Sequence, residues 1–184
     1  MLHPLDIVVG LKAHLWAEAD PWSFQRLAAR LAVSPSQAHT SLRRLAAADL
    51  YRPSDRSLRS LAFVSFAAYG IPHTFPAALG QVARGMPTAH AARPLCDHLL
   101  FAEPYVWPAG AGVEGRAVEP LHPCVPAASI EDADLYAALA LLDALRVGRA
   151  RDRRLAMDEL ERLLAKPGHD VNWLAQQREA LGVP

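Results

Sequence analysis

The chain has 184 residues and 20.0 kDa, 52% of them hydrophobic and 21% charged, enough to bury a core without the metals or disulfides that very small domains need. Alanine and leucine number 35 and 27 against 13 aromatic residues, which favours helix over strand. The 19 Lys+Arg balance the 19 Asp+Glu, which excludes coating of nucleic acid through bulk positive charge, and two cysteines exclude a disulfide-dense secreted framework.

No window approaches 18 uninterrupted apolar residues, and the start MLHPLDIVVG lacks the basic flank and long apolar centre of a signal peptide. A soluble, cytoplasmic chain with Cys96 and Cys124 as reduced thiols is expected. The charge is unevenly spread, net +3 over residues 1–60 and net −3 over the remainder. The basic residues are nearly all arginine, with Lys12 and Lys166 the only lysines. Neutrality overall therefore leaves room for a small arginine-based reading surface near the N-terminus.

In chain order, Ile7, Val8, Leu11, Leu15 and Trp16 recur at helical spacing and predict a first helix over about 5–19. A second begins after Ser23, a candidate N-cap, with Phe24, Leu27, Ala28 and Leu31 as its inner stripe. A third begins at Ser34-Pro35-Ser36-Gln37: serine as N-cap, proline at the first helical position and glutamine placed to reach back to the cap amide. Its apolar face is Ala38, Leu42, Leu45 and Ala46. A fourth helix is predicted over 57–69, ended by Gly70-Ile71-Pro72.

Residues 70–126 hold most of the prolines and glycines, which disfavours long helices outside 95–101. Tyr105-Val106-Trp107 and 113–121 read as short strands joined in a hairpin at Ala109-Gly110-Ala111-Gly112. Helices are predicted again over 129–147, with Leu135, Leu139, Leu142 and Leu145 in a stripe, and over 150–164; a last short helix is predicted in 169–181. The expected fold is mainly α with a minor β element, in three segments: 1–69, a Pro/Gly-rich middle over 70–126, and C-terminal helices over 127–184.

The strongest local signal is residues 22–51, WSFQRLAARLAVSPSQAHTSLRRLAAADLY: a helix, a turn at Ala32-Val33-Ser34, and a capped second helix bearing polar residues. Through LAARLAVSPSQAHTSLRRLAAADL it resembles the winged helix-turn-helix transcriptional regulators of bacteria, particularly the MarR-like kind. The resemblance covers about a sixth of the chain and implies a DNA-binding domain over 1–69 whose third helix is the recognition helix. It also implies a β-hairpin wing after Leu50-Tyr51, but Arg52-Pro53-Ser54-Asp55-Arg56 leads into a helical stretch. The wing is expected to be reduced or replaced by a helix.

With Ala38, Leu42 and Leu45 facing inward, the 100° step of a helix turns Ser36, Gln37, Thr40, Arg43 and Arg44 toward solvent or its margin, with His39 near the edge. The Ser34 hydroxyl and the helix N-terminus suit a phosphate, Gln37 an adenine, and Arg43 a guanine or phosphate. Arg52 and Arg56, with Arg59, add candidate phosphate contacts. The expected function is sequence-specific binding of double-stranded DNA by a homodimer, on a quasi-palindromic operator with half-sites about 34 Å apart. The competing expectation is a protein-interaction module, such as an antitoxin or regulatory partner, that works through its C-terminal helices.

A second arginine group, Arg146, Arg149, Arg151, Arg153 and Arg154, lies among Asp143, Asp152, Asp158 and Glu159 and reads as an ion-paired, solvated surface. Cys96-x-His98 and His122-x-Cys124 offer two thiols and two imidazoles, but a one-residue spacing is unusual for zinc and no metal is assigned. Walker, GxSxG, HExxH and GxGxxG motifs are lacking, so neither an enzyme nor a cofactor is expected. His73, Arg84, Thr88 and His90 are candidates to line a ligand pocket beside Phe75 and Trp107.

Overall fold

A computed structural model describes residues 1–17, 21–99 and 101–165. The helix expected over 169–181 lies outside the described residues. The fold is mainly helical with a small β part, and residues from all three sequence segments contribute to one hydrophobic cluster. None of the described helices is long and apolar enough to cross a membrane.

Helix α1 (Pro4–His14) begins with proline in its first turn and a capping box between His3 and Asp6, and every residue from Leu5 to Ala13 is buried. The pattern predicted one apolar stripe; the structure covers the whole helix, with α3 (Pro35–Ala47) on one side and α7 (Ala133–Val147) on another. Polar residues on α1 are therefore buried in pairs. Asp6, fully buried, accepts from Arg44, and Lys12 meets Asp132 at 2.6 Å. His14 accepts from the Leu58 amide at Nδ1 (3.2 Å), which leaves Nε2–H to donate to the Leu164 carbonyl (2.9 Å).

Helix α2 (Phe24–Arg30) is capped by Ser23, whose hydroxyl accepts from the Arg26 amide. The turn to α3 passes through Ala32, in the left-handed region at φ 51°. After α3 the chain forms a minimal antiparallel hairpin, β1 (Tyr51–Arg52) and β2 (Ser57–Leu58), before α4 (Ser60–Tyr69) and the short α5 (Ile71–Thr74). The fourth helix thus starts three residues later than predicted, because Leu58 pairs with Tyr51 and turns inward.

The β part differs from the expected hairpin. A long strand, β3 (Leu79–Thr88), which the sequence pattern did not suggest, pairs antiparallel with both β4 (Tyr105–Pro108) and β5 (Val113–Val118). β4 and β5 pair with each other in parallel, closing a three-stranded barrel. Gly85 faces Pro108 on one side and Val113 on the other, and a Cβ there would lie 1.9 Å from the Trp107 carbonyl oxygen. Only glycine allows the strands to cross that closely. The helix expected over 95–101 is a 3-10 turn, Leu95–Asp97.

The C-terminal stretch splits into α6 (Val125–Ser129) and α7, whose N-cap Asp132 accepts from the Leu135 amide. Every residue of α7 from Ala133 to Arg146 is buried, and α8 (Ala150–Ala165) packs on α7 and α4. The leucine stripe read as a partner surface is covered by the chain itself.

Asp143 and Arg146 of α7, read from sequence as part of a solvated surface, form an enclosed ion pair at 2.6 Å. Asp143 also accepts from Trp107 Nε1 (2.5 Å) and Thr88 Oγ1 (2.9 Å), while Arg146 donates to the carbonyls of Phe75 and Glu119. Burial lifts the Asp143 carboxyl above its ordinary range; Arg146, Trp107 and Thr88, donating to its charged form, pull the other way.

Asp143→Ala is expected to cost about 3–5 kcal/mol in urea unfolding, because a buried guanidinium, an indole N–H and a hydroxyl lose their shared acceptor. Ala32→Gly is expected to raise stability by up to about 1 kcal/mol, since the left-handed conformation strains a Cβ and leaves glycine unstrained. An unchanged or lowered urea midpoint for Ala32→Gly would show that the turn holds no such strain.

Candidate nucleic-acid interface

The exposed side of α3 is set by its cap and its apolar face. Ser34 Oγ accepts from the Gln37 amide (3.2 Å) and Gln37 Oε1 accepts from the Ser34 amide (2.9 Å), a complete capping box. Ala38, Ser41, Leu42 and Leu45 are buried against α1 and α2, leaving Ser34, Ser36, Gln37, His39, Thr40 and Arg43 exposed. Of the nine residues selected from sequence, these six share one face.

The remaining three are engaged elsewhere. Arg44, expected near the solvent margin, folds back as a fork onto Asp6, with Nε–Oδ2 at 2.8 Å and Nη2–Oδ1 at 2.6 Å. The fully buried carboxylate holds this guanidinium and raises its pKa further. Arg52, on the hairpin, pairs with Asp55 at 2.6 Å. Arg56 lies over the Trp22 ring, 4.8 Å from its centroid, and donates to the Trp22 carbonyl. Arg59 pairs with Asp49. Arg43 forms no ion pair among the described residues.

The Gln37 contact bears on base reading. A two-point contact with adenine uses both the oxygen and the nitrogen of an amide side chain, and in the capping box the oxygen is occupied. Reading adenine would therefore make that oxygen accept a second bond or open the cap, whereas Arg43, Thr40 and Ser36 extend outward without that cost.

An aromatic run that the sequence reading missed links this face to the hairpin. Trp22 packs edge-on against Phe24 (5.5 Å) and Phe24 against His39 (5.1 Å), so the ring stack reaches from Arg56 to α3. Its one sequence signal was the spacing of Trp22 and Phe24 around the Ser23 cap; the partner rings are far apart in the chain.

Beside α3, a shallow cavity of about 360 Å³ opens between the start of α1 and Gln37, Thr40 and Arg44, with His122 on its rim. His122 Nδ1 accepts from the Cys124 amide (3.2 Å) and faces Cys124 Sγ (3.0 Å). Burial lowers the His122 pKa and pushes the Cys124 thiol up to about 11, so the thiol stays protonated at neutral pH. Among the described residues no group of three or more His, Cys, Asp and Glu side chains is arranged to hold a metal. Of the pocket candidates in the middle segment, Thr88 and Trp107 are buried on Asp143, Arg84 donates to the Gly112 carbonyl, and His90 lines a second cavity.

No protein-family model matches the chain, and neither a curated protein nor a solved structure matches it. Function is therefore read from these side chains.

Arg44→Ala is expected to destabilise the fold by about 3 kcal/mol, because it strands the buried Asp6 carboxylate; an exposed DNA-contact arginine would cost almost nothing in thermal unfolding. For His122, a folded pKa below the ordinary value near 6.5 means that the unfolded chain takes up its proton first. Stability is then complete above about pH 6.5 and is lost as pH falls toward the folded pKa. His122→Gln should flatten that part of the acid limb, and an NMR titration placing the folded pKa at or above 6.5 would contradict it.

Proposed function

We propose that this chain is a winged-helix-like transcriptional regulator that binds double-stranded DNA by inserting α3 into the major groove. The observation that carries the reading is the capped α3, with Ser36, His39, Thr40 and Arg43 on one exposed polar side and its apolar side anchored on α1 and α2. The hairpin β1–β2 stands where a wing would, two residues per strand, and supports the expectation of a reduced wing.

The mechanism differs in emphasis from the sequence expectation. Arg43 takes the guanine or phosphate contact, Ser36 and Thr40 the adjoining edges, and the start of α3 meets a phosphate through the Ser36 amide, the Ser34 and Gln37 amides being taken up in the capping box. Arg44 supports α3 from behind, and Arg52 and Arg56 position the hairpin. So few free cations on this face imply modest affinity per copy and a shallow salt dependence, which a homodimer on a quasi-palindromic operator would offset. Because the α7 stripe is buried within the chain, a second copy would use another surface.

One feature favours the protein-interaction reading: Leu61 and Tyr69, eight residues apart on α4, are 74% and 73% exposed.

Selection from a random duplex pool tests the proposal. A defined motif should enrich at moderate salt, and Arg43→Ala should weaken binding by about 1–3 kcal/mol and relax one position of it. Gln37→Ala should leave the motif essentially intact while lowering stability slightly. Failure of any sequence to enrich would remove the DNA reading and leave the interaction module.

A further inference from the structure

Four arginines, Arg149, Arg151, Arg153 and Arg154, crowd the junction of α7 and α8, where all are exposed. They form no ion pair among the described residues. Two of the acids expected to neutralise them are directed elsewhere: Asp152 accepts from the Arg149 backbone amide (3.0 Å) and Glu159 pairs with Arg162. Arg151, Arg153 and Arg154 also stand at the start of the 16-residue α8, the end at which a helix dipole favours anions and disfavours cations. Unpaired cations gathered at that end raise the local positive potential, and Asp152 is the acid in the first turn of α8.

A cavity of about 320 Å³ opens at the same junction, with Arg149 and Asp152 on one wall and aromatic rings on the other. His90 packs on Tyr105 (centroids 4.2 Å) and Phe101 (5.0 Å), and its Nε2–H donates to the Glu103 carbonyl (3.0 Å), which fixes the ring. Phe101 is 42% exposed, an aromatic face held open to solvent. The Glu103 carboxylate, 3.3 Å from Arg116, supplies a further acceptor on this wall.

We propose that this cavity binds a nucleotide unit, a planar nitrogen base carrying a phosphate. The base stacks on Phe101 beside His90 and Tyr105, its amino hydrogens meet the Glu103 or Asp152 carboxylate, and its phosphate lies against Arg149, with the α8 arginines adding positive charge beyond the cavity rim. A simple anion would leave the aromatic wall without a role, and a neutral hydrophobe would leave Arg149 without one. The unit is either a free nucleotide or one residue of a single strand. The site shares no residue with α3 and stands independently of the duplex-DNA reading.

The full chain is titrated calorimetrically with the four common nucleoside monophosphates, with adenosine, with inorganic phosphate and with an eight-residue single-stranded oligonucleotide. At least one monophosphate should bind saturably and more tightly than adenosine or phosphate alone. Phe101→Ala, and separately the double variant Arg149→Ala/Arg153→Ala, should each weaken it about tenfold, all three side chains being exposed and the two arginines free of ion pairs among the described residues. Tighter binding of the oligonucleotide assigns the site to a strand, and equal binding to a free nucleotide. Phe101→Ala should leave selection of duplex DNA unchanged, which separates the two readings. Absence of saturable binding by any monophosphate or the oligonucleotide at millimolar concentration would overturn the proposal, as would binding indifferent to Phe101→Ala.

Discussion

The ion pair between Asp143 and Arg146 is the constraint on which the arrangement of helices and barrel depends. Both side chains are almost wholly removed from water, and such a pair is tolerable only if the remaining hydrogen-bonding capacity of each is met. Here it is met by the barrel and its connections: Thr88 at the end of β3, Trp107 on β4, and the carbonyls of Phe75 and Glu119 that flank the barrel in sequence. One turn of α7 therefore gathers segments more than 40 residues apart. Tyr136, two turns earlier on the same face of α7, adds a hydroxyl to the Pro87 carbonyl (2.7 Å) and packs its ring on Trp107.

The same logic repeats on a smaller scale at α1. Because α1 is surrounded, Asp6, Lys12 and His14 each need a partner, and each finds it on a different element: α3, the cap of α7, and the β2 and α8 termini. The orientation of α3, and with it the polar face offered to a ligand, follows from the Asp6–Arg44 fork and the closely packed Gly10, where an added Cβ would lie 2.5 Å from Leu45. Adjacent arginines thus have different settings: Arg44 holds the helix on Asp6 and Arg43 faces outward.

Much of the N-terminal region was legible because its signals are local. A serine cap, a proline at the first helical position, a glutamine three residues on and a spacing of three to four between apolar residues are properties of one helix, and they placed the start of α3 and its buried face correctly. The barrel was not legible. Gly80, Gly85 and Pro87 interrupt the alternation of β3, and Gly85 is required where the strands cross closely, which is a property of the assembled barrel. The arginines near α8 were misread in the opposite sense, since alternating charge along a sequence does not establish that the charges meet in space.

By itself the sequence determined a mainly helical chain, the start of α3, and most of the positions on it that turn away from the core, since helical periodicity and capping act within a few residues. Only the tertiary structure decided which polar groups remain free to act. Burial of a charge compels a partner wherever one can be reached, and that partner can be 38 residues away, as Arg44 is from Asp6, or three, as Arg146 is from Asp143.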